Sequence, residues 1–105
     1  MIRIYFYRKG EHCRLFATGH AEADAERDAV CAGVSALTSA LVLCALAEPG
    51  CKHLRYSMEP GEVFFSCRGL REGFTLVQRG LLAIAKSHPD HVRIESNIVV
   101  DDKIE

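Results

Sequence analysis

The sequence has no surplus of charge of either sign. Its 105 residues carry 13 Lys and Arg against 14 Asp and Glu, a net charge of -1, and no block of like charges. A nucleic-acid-binding surface normally gathers Lys and Arg in one patch. No direct nucleic-acid site is therefore evident, and contact with RNA through scattered basic residues stays open.

Two further features are missing, and both would direct the chain to or through a membrane. The N-terminus alternates apolar and polar residues from Ile2 onward, and it lacks the charged segment and apolar core of a signal peptide. The longest apolar run, residues 40–47, is much shorter than a membrane span. We therefore expect a cytoplasmic protein without membrane contact.

Disulfide and metal-ligand spacings are also absent. The five cysteines are an odd number and include no Cys-x-x-Cys pair, so free thiols in a reducing cytoplasm are expected. We expect no metal and no cofactor. The residues that would have to form a metal site are Cys13, Cys44, Cys51, Cys67, His12, His53, His88 and His91.

Hydrophobic periodicity predicts five strands and two helices. The strands are predicted at residues 2–7, 13–19, 53–58, 63–67 and 92–98, and the helices at 28–47 and 70–87. This order favours one α+β domain over residues 1–105, with both helices packed on one face of a largely antiparallel sheet. Pro60-Gly61 suits a type II turn, and we expect Gly10 and Gly61 to mark turns away from the chemistry. Residues 101–105 are expected to form a polar tail.

One part of the chain gathers a base, a thiol, an acid and a hydroxyl. Gly19-His20-Ala21 closes a predicted strand, and Asp28-Ala29-Val30-Cys31-Ala32-Gly33-Val34-Ser35 opens a predicted helix. Cysteine attacks as its thiolate, and a histidine cation or a helix N-terminus stabilises that form. We therefore predict that Cys31 and His20 form a reactive pair at the edge of the core.

The roles of Asp28 and Ser35 stay open at this point. At about 100° per residue, Asp28, Cys31 and Ser35 form one polar stripe of roughly 60° on the helix. Alternatively, Asp28 is the N-cap, which would place Cys31 at the third helical position. Ser35 either contacts a substrate or hydrogen-bonds to the carbonyl of Cys31.

The loop over residues 21–27 carries Glu22, Asp24 and Glu26 and no large apolar residue. We expect it to be a mobile lid. Its acids are either solvated or attract the basic flank of a peptide. The later part of the first helix, residues 41–46, is apolar on every side, which predicts deep burial or a second subunit in a homodimer.

The two motifs resemble those of the ribosomal-processing cysteine protease (Prp) family. Its members are small bacterial proteins with a Gly-His-Ala element, a variable loop, and Asp-x-x-Cys-Ala-x-x-Ser. The resemblance implies that His20 and Cys31 are the catalytic dyad. It also implies a supporting or substrate-binding place for Gly19, Ala21, Asp28, Ala32 and Ser35. The chain departs from the family pattern in the loop, where Glu26 stands in place of the usual glycine.

The resemblance implies a dimeric cysteine endopeptidase that removes a short N-terminal extension from a large-subunit ribosomal protein precursor, cutting beside aromatic residues. Cys31 would attack the peptide carbonyl, His20 would protonate the leaving amine, and backbone N–H groups near Cys31 would hold the oxyanion. Two alternatives stay open: a ribosome-associated peptide-binding module without turnover, and a thiol redox sensor that pairs Cys31 with a second, unidentified cysteine.

Overall fold

The fold of the chain is α+β, as predicted, in a computed structural model that describes residues 1–100. The elements are β1 (Ile2–Lys9), β2 (His12–Thr18), α1 (Arg27–Ala47), β3 (Lys52–Glu59), β4 (Glu62–Arg68), α2 (Arg71–Ser87) and β5 (Val92–Val100). Their order confirms the predicted order, and each boundary lies within two residues of its prediction. The predicted polar tail, residues 101–105, lies outside the described residues.

The five strands form one sheet in the order β3-β4-β2-β1-β5. β1 pairs antiparallel with β2, β2 with β4, and β4 with β3, whereas β1 and β5 run parallel. The second hairpin therefore lies beside β2 rather than beside β5. As a result, the turn between β3 and β4 meets the end of β2, where His20 follows.

The core lies between one face of the sheet and the two helices. Ile4 and Phe6 of β1, Leu15 of β2 and Phe65 of β4 alternate toward the helices and are fully buried. Phe74 of α2 packs between two of these strands. Its ring meets that of Phe6 edge-on, with centroids 6.3 Å apart, and stacks with that of Phe65 at 6.4 Å. Aromatic pairs favour both arrangements, so α2 is held in one position on the sheet.

The two helices pack closely against each other at glycine positions. A Cβ on Gly80 of α2 would lie 2.9 Å from Cδ1 of Leu37 in α1, and one on Gly33 would lie 3.1 Å from Cδ1 of Ile84. The absence of side chains at these positions lets the helices approach. Gly80 therefore permits close packing, although glycine costs roughly 1 kcal/mol of helix propensity.

The observed start of α1 contradicts one of the two interpretations of Asp28, in which Asp28 is the N-cap residue. The helix begins at Arg27 with Glu26 as its N-cap residue, and Asp28 lies in the first turn without a capping hydrogen bond. The interpretation of Asp28 as the N-cap is therefore wrong. Cys31 is the fifth helical residue rather than the third, because the chain enters the helix two residues earlier.

The outward face of α1 is apolar over most of its length. It carries Leu43 and Leu46, whose exposed fractions are 66% and 58%, together with exposed alanines. By length and composition alone, α1 is also apolar enough to span a membrane. Core helices pass the same test, and Val34, Leu41 and Val42 of α1 are buried in the core. The expectation of no membrane contact therefore stays a prediction.

Candidate active site

His20 and Cys31 line the same cavity at one end of the sheet. The cavity has a volume of about 260 Å³ and also takes in Gly19, Ser35 and the β3–β4 turn, residues 59–62. α1 contributes Cys31 and Ser35 from one side, while β2 ends at Thr18 and delivers His20 from the other. The fold thus brings together a thiol, an imidazole and a hydroxyl, as the sequence predicted.

The imidazole of His20 packs against the backbone of the β3–β4 turn. A Cβ on Gly61 would lie 2.6 Å from Nε2 of His20, so only a glycine leaves room for the ring in this position. Gly61 has a φ of 77°, which suits the third residue of a type II turn. The expectation that Gly61 lies away from the chemistry is therefore wrong. Sequence reasoning accounted for its turn geometry and could not show which side chain the turn would meet.

Gly19 fixes the direction in which the chain leaves β2. Its N–H donates to the carbonyl of Gly61 at 2.9 Å. Its φ is 104°, and a Cβ there would overlap the carbonyl oxygen of Met1. An L-residue would be strained in this conformation and would clash as well. Gly19 therefore positions His20 through the backbone.

The neighbourhood of Cys31 supplies few free backbone donors. Val30 N–H already donates to the carbonyl of Glu26 at 3.0 Å, and Cys31 N–H lies one residue further inside the helix. Only the first turn of a helix has unpaired N–H groups. The expectation that backbone N–H groups next to Cys31 hold an oxyanion is therefore not supported. The hydroxyl of Ser35 also lines the cavity, and among residues 1–100 it has no hydrogen-bond partner, so it does not bond back to Cys31.

Three other predicted site residues lie outside the cavity lining. Asp28 and Ala32 are exposed on α1, and Ala21 is buried in the hydrophobic core just after His20. Ala21 therefore anchors the chain next to His20, while Asp28 makes no hydrogen bond or ion pair with His20 or Cys31 among residues 1–100. Glu59 and Glu62, which sequence reasoning missed, do line the cavity. Only the pairing of β2 with β4 brings them there.

The loop between β2 and α1 is held by polar contacts, although it has no large apolar anchor. The carboxylate of Glu22 binds the N-terminal ammonium at 2.6 Å. This hydrogen bond and the positive charge of the ammonium lower the pKa of Glu22. Glu26 contacts Nδ1 of His88 at 2.9 Å. The loop acids that we expected to be solvated or to bind a peptide are thus engaged within the chain.

His91 is the central anchor of this loop. Its side chain is 3% exposed, its Nδ1 accepts the backbone N–H of Glu22 at 3.1 Å, and its Nε2 lies 3.0 Å from a carboxylate oxygen of Asp24. Because Nδ1 is an acceptor here, the proton of the neutral ring is on Nε2 and is donated to Asp24. His91 therefore holds the loop through both nitrogens of one buried ring.

The remaining cysteines lie away from this cavity. Burial raises the pKa of Cys13 to about 11. Burial, and then a hydrogen bond with Cys51, raise the pKa of Cys67. Both thiols stay protonated at neutral pH and are poor nucleophiles. Among residues 1–100, no three His, Cys, Asp or Glu side chains are grouped to hold a metal ion.

Comparison with known proteins identifies related folds. The family model described as "Cysteine protease Prp" matches residues 1–93. The Streptococcus mutans protein SMU.848 is 21% identical, with a TM-score of 0.71 over 97% of this chain and 96% of that one. The S. aureus "essential ribosomal processing protease Prp", solved with a covalently linked product peptide, is 17% identical, with a TM-score of 0.74 over 92% of this chain and 100% of that one. No curated protein matches the chain.

A cavity that a thiol and an imidazole both line is typical of cysteine-dependent hydrolases. The chain belongs to the Prp cysteine protease family, whose model spans residues 1–93 and includes both predicted motifs. It is therefore a cysteine protease by family. The two structural neighbours named above, at 21% and 17% identity, independently show the fold.

The loop anchor predicts a measurable effect of His91→Ala. Losing the acceptor of the Glu22 N–H should speed hydrogen exchange at that amide by roughly fivefold, the equivalent of one hydrogen bond of about 1 kcal/mol. Hydrogen–deuterium exchange of residues 21–26 measures this change. His12→Ala, at the start of β2 and without a contact to the loop in the described residues, is the matched control and should leave the loop unchanged. Equal exchange in His91→Ala and the wild type would show that the loop does not depend on His91.

Proposed function

We propose that this protein is a cysteine endopeptidase that removes a short N-terminal extension from a large-subunit ribosomal protein precursor. The observation that carries the proposal is the cavity that Cys31 and His20 share, in a chain of the Prp family. Two structural neighbours from S. aureus are described as ribosomal processing proteases, one with a product peptide and one with a substrate peptide. Ribosomal processing by these two structural neighbours supports the substrate class.

Cys31 and His20 have distinct roles in the proposed reaction. The Cys31 thiolate attacks the scissile carbonyl, and the imidazolium of His20 protonates the leaving amine. His20 then takes a proton from the water that releases the acyl group. Gly61 and Gly19 are positioning residues, because one supports the ring of His20 and the other directs its backbone.

The oxyanion of this reaction needs a donor other than the helix backbone around Cys31. We assign this role to the hydroxyl of Ser35, which lines the same cavity one helical turn beyond Cys31. It is free to donate because it has no other partner among residues 1–100. A preorganised donor at this point stabilises charge that develops only in the transition state.

The rim of the cavity is acidic, which bears on the substrate. Glu59 and Glu62 lie on the β3–β4 turn and make no ion pair within residues 1–100. The acids of the loop, by contrast, are bound to the N-terminal ammonium, to His88 and to His91. We therefore assign attraction of a basic peptide flank to Glu59 and Glu62 rather than to the loop.

The apolar outward face of α1 leads us to propose a homodimer that pairs through this helix. Leu43, Leu46 and exposed Ala36 and Ala40 form a face that water solvates poorly. A second copy would cover it with the same residues, as a two-fold interface does. The five free cysteines support a reducing, cytoplasmic location.

Cleavage of a precursor peptide tests the proposed activity. The substrate is a synthetic peptide that spans the N-terminal extension of the host's large-subunit ribosomal protein and its first mature residues. Under reducing conditions, mass spectrometry should find a truncated product with the wild type and none with Cys31→Ala. His20→Ala should lower kcat by roughly 10²–10⁴-fold, the usual contribution of a general acid and base.

Cys44→Ala is the matched control, since it removes a second α1 thiol that is absent from the cavity lining. It should cleave at the wild-type rate. Cleavage by Cys31→Ala would contradict the proposed nucleophile. Peptide binding by the wild type and Cys31→Ala, with cleavage by neither, would identify the alternative binding module.

The dimer is tested by Leu43→Glu, which places a charge in the proposed interface. We expect it to raise the dimer dissociation constant by roughly 30-fold or more, since a buried interface leucine contributes about 2 kcal/mol and the carboxylate adds a desolvation cost. Analytical ultracentrifugation measures the change. Leu76→Glu, at an equally exposed leucine of α2, should leave the dimer intact. A monomeric wild type at micromolar concentration would contradict the proposal.

A further inference from the structure

The face of the sheet opposite the helices is uncovered, and we refer to it as the open face. Strand alternation places Arg3, Tyr5 and Tyr7 of β1 on it, with Arg14 and Phe16 of β2 as their cross-strand neighbours. Both helices pack on the other side, against Phe6 and Phe65. Arg3, Tyr5 and Arg14 are therefore exposed and available to a partner, whereas Tyr7 and Phe16 are half-buried.

Three aromatic side chains form a row across the centre of the open face. Tyr5 pairs with Phe16, and Phe16 pairs with Phe64 on the next strand. The ring centroids of Tyr5 and Phe16 lie 5.9 Å apart, and Tyr5 is 37% exposed. The planes of the Tyr5 and Phe16 rings are inclined by 41° to each other, and Phe16 and Phe64 are half-buried. The row therefore offers partly accessible aromatic surface across β1, β2 and β4, on which planar bases stack.

Basic side chains surround this row. The guanidinium of Arg14 lies over the ring of Tyr7, with 5.6 Å between Cζ and the ring centroid. The open face carries more cations than carboxylates, and one of its carboxylates, Glu95, pairs with Arg3. The cations are Arg3, Lys9, Arg14, Lys52, Arg55, Arg68 and Arg93. The carboxylates are Glu95 and, at the end of the sheet where they also line the rim of the Cys31 cavity, Glu59 and Glu62. Residues spread over five strands thus form one basic surface on a chain whose net charge is -1.

Part of this surface is a cavity of about 230 Å³ with cationic walls. Its lining includes His12, Arg14, His53, Arg55 and Arg68, and no carboxylate among the described residues. Three guanidinium groups around one space repel each other unless an anion lies between them. Arginine is well suited to bind phosphate, because its planar fork donates two parallel hydrogen bonds.

A local irregularity of β3 directs one of these side chains into the cavity. The register of β3 and β4 shifts between Lys52 and Arg55, and His53 within this bulge has a φ of 56°. Non-glycine residues adopt such a φ only at a cost in free energy. Bulges re-aim side chains in this way. Here the bulge brings His53 to the same cavity as His12 of β2.

We propose that the open face binds single-stranded RNA, with a phosphate in the arginine–histidine cavity and bases stacked on Tyr5, Phe16 and Phe64. A cationic groove beside an aromatic platform is the usual combination in proteins that bind single strands. Ser66 also lines the cavity and has no hydrogen-bond partner within residues 1–100. Its hydroxyl and the ring of His12 match the 2′-hydroxyl that distinguishes RNA from DNA.

This site is separate from the Cys31 cavity. The arginine–histidine cavity lies at the His12 and Arg68 ends of β2 and β4, and the Cys31 cavity lies at their Thr18 and Glu62 ends. The two are about 20 Å apart along β2, at roughly 3.3 Å per residue. RNA binding does not rest on the proposed peptidase activity, so either can fail alone.

Fluorescence anisotropy with a labelled single-stranded RNA of about ten nucleotides tests the proposal, since such a length matches common single-strand sites. The wild type should bind at low salt, and its affinity should fall as salt rises from roughly 50 to 200 mM. Arg55→Glu should weaken binding by about tenfold and make the salt dependence shallower. Tyr5→Leu should weaken binding by roughly fivefold or more through loss of stacking.

Arg79→Glu is the matched control, because it makes the same charge change at an exposed position of α2. It should bind RNA nearly as the wild type does, and Cys31→Ala should bind equally well. Circular dichroism confirms that each variant is folded. If Arg55→Glu and Arg79→Glu weaken RNA binding equally, the loss of affinity reflects only the change in net charge, and the proposal is overturned. Absence of binding at low salt would overturn it too, as would equal affinity for duplex RNA or for DNA of the same sequence.

Discussion

Both proposed sites depend on one constraint, which is that the two helices cover only one face of the sheet. β1 alternates Ile4 and Phe6 toward the helices with Tyr5 and Tyr7 away from them, so helix packing fixes what each face presents. On the covered side, the N-terminal part of α1 lies over the ends of β2 and β4 and places Cys31 in a cavity with His20. On the other side, the same alternation leaves aromatic and basic side chains uncovered. One fold thus offers a protected cavity for chemistry and an open surface for binding.

The geometry of the Cys31 cavity depends on two glycines that belong to different hairpins. Gly19 ends the first hairpin, and its N–H binds the carbonyl of Gly61 in the turn of the second. The ring of His20 rests where Gly61 lacks a side chain. The imidazole is therefore positioned by backbone, and among residues 1–100 it has no hydrogen bond to a carboxylate. Asp28, the acid nearest to Cys31 in the sequence, is exposed on α1. Backbone support of this kind leaves the carboxylates of Glu59 and Glu62 without an ion pair among residues 1–100, which agrees with the proposed role of these two residues in attracting a basic peptide flank.

Sequence alone predicted the elements well and their neighbours poorly. The alternation of Ile2, Ile4 and Phe6, and the turn at Pro60-Gly61, are local signals, so the strands and the hairpin could be located. The sequence motifs also predicted that His20, Cys31 and Ser35 belong to one site. Contacts between residues distant in the chain could not be predicted, because hydrophobic period carries no information on strand order. The binding of Glu22 by His91 and the gathering of Arg14, Arg55 and Arg68 on one face are of this kind.

The central claim is that Cys31 and His20 act as a pair, and the rate of alkylation at Cys31 tests it most directly. Iodoacetamide reacts with thiolates, so the pseudo-first-order rate at each cysteine, followed by peptide mass spectrometry across pH, reports how far the thiolate is stabilised. Cys44, on the same helix, is the internal standard. The account predicts that Cys31 reacts faster than Cys44 at neutral pH and that His20→Ala abolishes the difference. Equal rates at the two thiols in the wild type, or a Cys31 rate that His20→Ala leaves unchanged, would contradict it.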